Sequence, residues 1–202
     1  FLAPDDIYSK LPGCCQYDRV KKVVAKIETP KVETKVDDHS GHNHSTTTTT
    51  EKPVEVKQEV NQLKAVFDNY FAVKDALVKT DGNTSSAKAK ELLTAINTVK
   101  MDKLTTEEHT VWMKVMKDLT FDAEHIADTK DASHQRDHFM NLSKNMYDLI
   151  KVSKSETPTY YQFCPMANDG KGANWLSKEN AVKNPYYGNQ MLTCGKVVET
   201  IK

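Results

Sequence analysis

Four stretches of the chain carry apolar residues at helical spacing, and this periodicity restricts the fold more than any other feature. In the first stretch the apolar positions recur every three or four residues with one skipped turn: Val56, Val60, Leu63, Phe67, Tyr70 and Leu77. We expect a helix that ends near Thr80–Asn83, where a Gly-Asn pair is typical of a helix terminus. A stripe of this kind buries one face of a helix against its neighbours.

The next three stretches each have a start signal of their own. We expect the second helix to begin after a cap at Ser85 or Ser86, the third at a capping box formed by Thr105 and Glu108, and the fourth after Asp131 or Ser133. Their stripes are Ala89, Leu92, Leu93, Ile96 and Val99; His109, Trp112, Met113, Met116, Leu119, Ala123 and Ile126; and His138, Leu142, Met146 and Leu149. Short connections between such helices predict an all-α protein with an antiparallel four-helix bundle over residues 56–155.

Residues 1–55 have the composition of a tail rather than a domain. From about residue 28 they are poor in large apolar side chains and rich in Thr, Lys, Asp and Glu, which predicts a disordered linker. The linker contains His39, His42 and His44, which suit either loose metal capture or a polar spacer. Cys14 and Cys15 are adjacent, and a disulfide between neighbours is strained, so the sequence leaves their role open.

Residues 156–202 predict a small, loop-rich extension packed on the bundle. Cys164 is followed by Pro165 and Met166, and Met191 precedes Cys194 by three residues. Thiolates and thioethers are soft ligands that favour Cu(I). The competing interpretation is a structural disulfide between Cys164 and Cys194, which would stabilise the fold by about 3 kcal/mol by closing a loop.

Three histidines form a second candidate metal site. His134 and His138 are spaced i, i+4, so both rings project from one helix face, and His125 precedes the turn between helices three and four. Facing helices of a bundle can hold an ion between such residues. The alternative is that each is an ordinary histidine at the boundary of the core.

Composition and motif content exclude several functional classes. The chain has no net charge, with 28 basic and 28 acidic residues, and no basic run interleaved with aromatic residues, so a nucleic-acid partner is not expected. No apolar run approaches the roughly 20 residues that span a bilayer. The sequence lacks a Gly-rich phosphate loop, H-E-x-x-H and G-x-S-x-G, and we therefore expect no enzymatic activity.

Several motifs carry a family resemblance that covers roughly residues 56–202. They are F-x-x-Y-F-x-x-K-D-A-L-V from Phe67, H-Q-R-x-H-F-x-x-L-S from His134, and the tail C-P-M…N-P-Y-Y-G…M-x-x-C-G from Cys164. The chain resembles a bacterial periplasmic domain of unknown function that occurs alone or at the C-terminus of RND adaptor subunits of heavy-metal (copper) efflux pumps.

The resemblance implies a periplasmic, efflux-associated copper-binding module with pump components as partners. Carried over position by position, it implies Cys164, Met166, Met191, Cys194, His134 and His138 as metal-site residues. The tail also resembles the Y-x-C-P-M-H-P box of small heavy-metal-binding domains, but Ala167 stands where that box has its histidine.

The chain begins at Phe1 rather than Met, so it is either a fragment or a processed form, and the sequence does not show whether a secretory signal was removed. Leu11-Pro12-Gly13-Cys14 faintly resembles a lipoprotein cleavage site, but no apolar segment precedes it. The expectation of export therefore rests mostly on the resemblance. The sequence therefore leaves two candidate functions. One is a periplasmic Cu(I)-binding module, and the other is a structural or protein-interaction helical domain stabilised by a Cys164–Cys194 disulfide.

Overall fold

The computed structural model describes residues 61–153 and 157–202, all of which belong to one compact unit. The predicted positions Val56 and Val60, the adjacent cysteines, the linker histidines and the cleavage-site resemblance lie outside these residues. The helices are α1 Lys64–Val78, α2 Gly82–Asn97, α3 Thr106–Asp128 and α4 Ala132–Ile150, and the strands are β1 Thr159–Cys164, β2 Ala173–Ser177 and β3 Lys196–Ile201.

Helices α2, α3 and α4 begin at capping residues whose side chains accept from backbone N–H groups of the first turn, whereas α1 has no side-chain cap. The predicted capping box of α3 is confirmed, with Thr105 and Glu108 each accepting from the other's backbone N–H. The prediction of Asp131 as the cap of α4 is also confirmed. The prediction for α2 is wrong. Its cap is Asp81, whose carboxylate accepts from Thr84 N at 3.0 Å, and Ser85 and Ser86 are buried inside the helix.

Most of the predicted apolar stripe lies in the core of the helical part. The fully buried members include Leu63, Tyr70, Leu77, Ala89, Leu92, Leu119, Ala123, Ile126, Leu142, Met146 and Leu149. His109 and Met113 are exposed, and their assignment to the stripe is wrong. The buried face of α3 runs through Trp112, Val115 and Leu119, so residues 109 and 113 fall on the side of the helix that faces solvent.

The C-terminal region is more regular than the predicted loop-rich extension. It contains a three-stranded antiparallel sheet in the order β2-β1-β3, in which Cys164 pairs with Ala173 and Gln162 with Trp175. The Tyr- and Phe-rich β1 favours a strand, but its residues stand among Cys, Met and turn formers that indicate a loop.

One buried tyrosine connects the sheet to the helices. The Tyr70 hydroxyl on α1 lies 2.8 Å from Ser143 Oγ on α4 and accepts from Leu176 N on β2 at 3.0 Å. The Tyr70 ring stacks on Phe139 with ring centres 5.3 Å apart. The sheet therefore shares a core with the bundle. None of the helices in the described ranges is long and apolar enough to cross a membrane.

Candidate metal centres

Cys164 and Cys194 are 30 residues apart in the chain, yet their sulfurs lie 3.0 Å apart. Cys164 is the last residue of β1 and is fully buried, whereas Cys194 is half-buried in the loop before β3. Both cysteines are free. A disulfide needs a sulfur separation of about 2.0 Å, and two sulfurs on one ion at about 2.3 Å each lie roughly 3.8–4.6 Å apart. The observed distance falls between the two states, so either requires a shift of roughly 1 Å.

Asn184 and Tyr187 hold the two cysteine-bearing segments in place. Asn184 Nδ2 donates to the Cys194 carbonyl at 2.9 Å, and its backbone N–H donates to Leu192 O at 2.8 Å. The Tyr187 hydroxyl donates to the Met166 carbonyl at 2.6 Å. In the sequence, Asn184 is followed by Pro185, a pair that is typical of a turn. Because its partners lie eight and ten residues further along the chain, no local pattern indicates this role.

Gly195 lets the segment that carries Cys194 lie close to β1 beside the two thiols. Its φ is +142°, and a Cβ there would lie 2.8 Å from the Phe163 carbonyl oxygen and 3.0 Å from the Trp175 ring. A side chain at this position would therefore push the Cys194 segment away from β1. The absence of a side chain at Gly195 therefore helps to bring the sulfurs of Cys164 and Cys194 together.

The predicted thioether ligands are Met166 and Met191. Their backbones form hydrogen bonds with Cys194. The Met166 N–H donates to the Cys194 sulfur, and the Met191 carbonyl accepts from Cys194 N at 3.0 Å. Both side chains are exposed, Met166 by 53% and Met191 by 36%. Exposed methionine side chains are flexible and are able to adopt several orientations.

The Cys164 sulfur raises the pKa of the Cys194 thiol above its ordinary value. It does so by hydrogen bonding with the protonated form, and desolvation of the thiolate acts in the same direction. A metal ion that binds the pair must therefore displace a proton from Cys194.

The structure brings the three predicted histidines together at the turn between α3 and α4. The ring centres of His125 and His138 are 4.3 Å apart, those of His134 and His138 are 5.0 Å apart, and those of His125 and His134 are 6.5 Å apart. All three are half-buried. Around one ion with metal–nitrogen bonds of about 2.0–2.1 Å, ring centres lie roughly 5 Å apart. The spacing of the three rings is close to that value.

Two of the rings have an oxygen partner on Nδ1. His138 Nδ1 lies 3.0 Å from the carboxylate of Asp122, which is almost fully buried, and His125 Nδ1 lies 2.9 Å from the Phe121 carbonyl. The sequence reasoning missed Asp122. Its position three residues before His125, on the same helix face, is the signal that would have indicated it.

Gln135 fixes the turn that carries these histidines. This fully buried side chain donates from Nε2 to Thr129 O at 2.8 Å, to Gly82 O at 2.9 Å and to Ile126 O at 3.2 Å. A Cβ on Gly82 would lie 1.9 Å from the Lys130 carbonyl oxygen. The start of α2 is thus pressed against the α3–α4 turn, which restrains where the rings of α3 and α4 lie.

As the side chains stand, no group of three or more His, Cys, Asp or Glu residues within 61–153 and 157–202 is arranged to hold a metal ion. To enclose an ion, the three imidazole rings must therefore rotate toward a common point. For the thiol pair the requirement comes from the sulfur distance instead, because the two sulfurs must move apart by roughly 1 Å to bind one ion.

Comparison with known proteins gives one match. Searches of curated proteins and of solved structures return none, whereas residues 66–157 match the family described as "Protein of unknown function (DUF3347)". The matched range contains the three clustered histidines and ends before the cysteine pair. The link to copper-efflux adaptors, which the resemblance implied, stays a prediction. The similarity to this family covers residues 66–157, which is less than half of the chain.

Proposed function

We propose that this protein is a metal-binding module whose soft site, Cys164 with Cys194, takes Cu(I). The observation that carries the proposal is the approach of two unbonded cysteine sulfurs to 3.0 Å from positions 30 residues apart. Two thiolates on one ion are a ligand set that favours Cu(I) over hard divalent ions. The flanking thioethers of Met166 and Met191 belong to the same ligand class.

The burial of the donors supports capture followed by transfer. Cys164 is inaccessible to solvent, whereas the side chains of Met166, two residues after Cys164, and Met191, three residues before Cys194, are exposed. An incoming ion would meet the thioethers first and then the thiols, and it would leave in the reverse order. We assign no catalysis to this chain, because an ion that binds and leaves unchanged accounts for the donor set.

The setting we propose is the periplasm, in association with a heavy-metal efflux pump. It rests on the family resemblance of the tail and of the His134 motif. The check is fractionation of cells that express the full-length gene, followed by crosslinking to pump components. Recovery in the cytoplasm would contradict the proposed setting and would leave the Cu(I) site to be judged by titration.

The binding proposal is tested by anaerobic Cu(I) titration of the fully reduced chain against a chromophoric chelator. We expect about one tight equivalent in the wild type and its loss, by roughly 1,000-fold or more in affinity, in Cys164→Ser/Cys194→Ser. The matched control is Cys14→Ser/Cys15→Ser, which removes the same number of thiols from the other end of the chain. Unchanged affinity in the 164/194 variant, with its helical circular dichroism intact, would overturn the assignment.

The alternative function is a structural or protein-interaction domain closed by a Cys164–Cys194 disulfide, and the short sulfur separation favours it as well. Mass measurement without reductant separates the two. A two-hydrogen deficit that persists in the presence of copper and of a physiological thiol pool supports the structural role. Ready reduction, followed by stoichiometric Cu(I) uptake, supports the metal-binding module.

A further inference from the structure

The imidazole cluster at the α3–α4 turn carries a second inference, which is independent of the thiol pair. We propose that His125, His134 and His138 form a site for one divalent ion of the Zn(II) or Cu(II) class. Asp122 is the positioning residue of this site. None of its residues takes part in the Cu(I) site, so each proposal can fail while the other stands.

The hydrogen bonds of two rings determine which nitrogen faces the ion. The partners of Nδ1 in His138 and His125 are a carboxylate and a backbone carbonyl, and both groups only accept hydrogen bonds. Each Nδ1 therefore carries the proton. In the neutral ring the lone pair then lies on Nε2, which is the atom able to bind a metal.

This arrangement is the outer shell that metal-binding histidines ordinarily have. Such a histidine donates its second ring N–H to a carboxylate or a carbonyl, which fixes the tautomer and makes the ligating nitrogen more basic. Here both kinds of acceptor are present, one on each of two neighbouring rings. Ordinary surface histidines do not require a buried carboxylate, whereas Asp122 is only 2% exposed and bonds His138.

His134 supplies the third ring of the cluster, and its distances to the other two rings are close to those needed around one ion. His134 is one helical turn before His138, with ring centres 5.0 Å apart. The largest distance, 6.5 Å between the rings of His125 and His134, must shorten by roughly 1 Å for both to bind one ion. His134 is half-buried near the start of α4, so rotation about its side-chain bonds is enough to close the gap.

The donor set selects the class of ion. Imidazole nitrogen suits Zn(II), Cu(II) and Ni(II), whereas Mg(II) and Ca(II) prefer sites made of oxygen ligands. With three imidazoles as ligands and the carboxylate behind His138, a fourth position stays open on the solvent side. The site is therefore suited to reversible binding, and it differs in ion class from the thiol pair, whose ligands favour Cu(I).

The experiment is long-range proton–nitrogen NMR of the histidine rings in the reduced full-length chain, with and without Zn(II). Without metal, and at a pH where the rings are neutral, we expect His125 and His138 to carry their proton on Nδ1. On addition of Zn(II), the Nε2 signals of His125, His134 and His138 are expected to shift together with one midpoint. The NMR signals of each histidine ring are observed separately, so the thiols and the linker histidines need not be removed.

Variants test the positioning role of Asp122. Asp122→Asn is expected to weaken Zn(II) binding by about 10- to 100-fold and to change the tautomer population of His138. His138→Ala is expected to abolish the joint shift of the other two rings. His109→Ala is the matched control, because it removes an exposed histidine from α3 without touching the cluster. A proton on Nε2 of His125 and His138 in the metal-free chain, or rings that do not shift while zinc binds elsewhere, would overturn the proposal.

Discussion

The two clusters of donor residues differ in how the chain assembles them. The thiol pair joins the end of β1 to a loop 30 residues later, and its sulfurs are already in contact at 3.0 Å. The imidazole cluster comes from two consecutive helices joined by a short turn, and its ring centres are spread over 4.3–6.5 Å. The first site depends on distant contacts, and the second depends on helical spacing and one turn.

This difference determines where each site is vulnerable. The thiol pair depends on Asn184, Tyr187 and Gly195, which hold backbone segments that are distant in sequence. The imidazole cluster depends on Gln135 and Gly82, which hold the turn against α2. Changes in one group of supporting residues should therefore affect one site and leave the other intact, and the predictions below use this separation.

The largest expected effect comes from oxidation of the thiol pair. Closing the Cys164–Cys194 disulfide should raise the free energy of unfolding by about 3 kcal/mol, because the crosslink restricts the unfolded chain. It should also abolish Cu(I) uptake while the zinc-dependent ring shifts persist. Urea unfolding of the oxidised and reduced chains measures the first effect. Loss of the ring shifts on oxidation would show that the two sites are coupled.

The second prediction concerns Gly195. Gly195→Ala should lower stability by about 2 kcal/mol, because a Cβ at φ +142° meets the Phe163 carbonyl and the Trp175 ring. It should also weaken Cu(I) binding by about tenfold, because the Cys194 segment moves away from β1. Thermal unfolding and chelator competition report the two effects.

Gly170→Ala is the matched control for this variant. Gly170 also has a positive φ, +80°, but its added Cβ would have no neighbour within 4 Å. It should therefore show the backbone strain alone, about 1 kcal/mol, with Cu(I) affinity unchanged. Equal losses of Cu(I) affinity in the two variants would contradict the role given to the contact at Gly195.

The same difference explains how much of the molecule the sequence predicted. Periodicity and caps are local, so the four helices and the Thr105–Glu108 capping box were predicted correctly. The three histidines were also grouped correctly, because i, i+4 spacing and a turn between helices determine their proximity. One error on the helices concerns where α2 begins, because the cap is Asp81 and not Ser85 or Ser86. The others, at His109 and Met113, concern which face of α3 is buried, and this depends on neighbours that the local pattern does not specify.

The tail was predicted less well because its structure depends on pairing between distant segments. The sequence drew attention to Cys164 and Cys194 by ligand type, yet it gave no sign of the β2-β1-β3 sheet. Asn184 was missed for the same reason, because an asparagine that bonds a backbone ten residues away looks like any turn residue. Asp122 on α3 was missed for another reason. Its spacing to His125 is a local signal, but a buried aspartate on a helix looks like a surface charge in the sequence.

The third prediction tests the support of the imidazole cluster. Gln135→Met keeps the size of the side chain and removes the Nε2 donor, so the buried carbonyls of Gly82 and Ile126 lose this partner. We expect a loss of about 1–2 kcal/mol in stability and weaker zinc-dependent ring shifts, with Cu(I) binding unchanged. Gln190→Leu, which removes the same amide at an exposed position without adding a thioether beside Met191, is the control. Weakened Cu(I) binding in the Gln135 variant would contradict the independence of the two sites.

The last prediction concerns the pH dependence of the thiol site. The pKa of the Cys194 thiol is raised by the neighbouring Cys164 sulfur, so near neutral pH this thiol is protonated and must lose its proton when Cu(I) binds. Affinity should therefore rise with pH, by up to about tenfold per pH unit for each proton released, and should level off only above the raised pKa. Chelator competition at several pH values between about 6 and 8, corrected for the chelator's own protonation, measures the slope.

Cys194→Ser gives this prediction its control. The variant retains Cys164 and the thioethers, but the proton of Cys194 no longer takes part, so the slope should fall by about one proton. If wild type and variant show the same slope, Cys194 binds no metal. The 3.0 Å contact between the sulfurs would then indicate a disulfide partner rather than a second ligand. If the slope falls as expected while the zinc-dependent ring shifts stay unchanged, the thiol pair and the imidazole cluster are separate sites for ions of different classes.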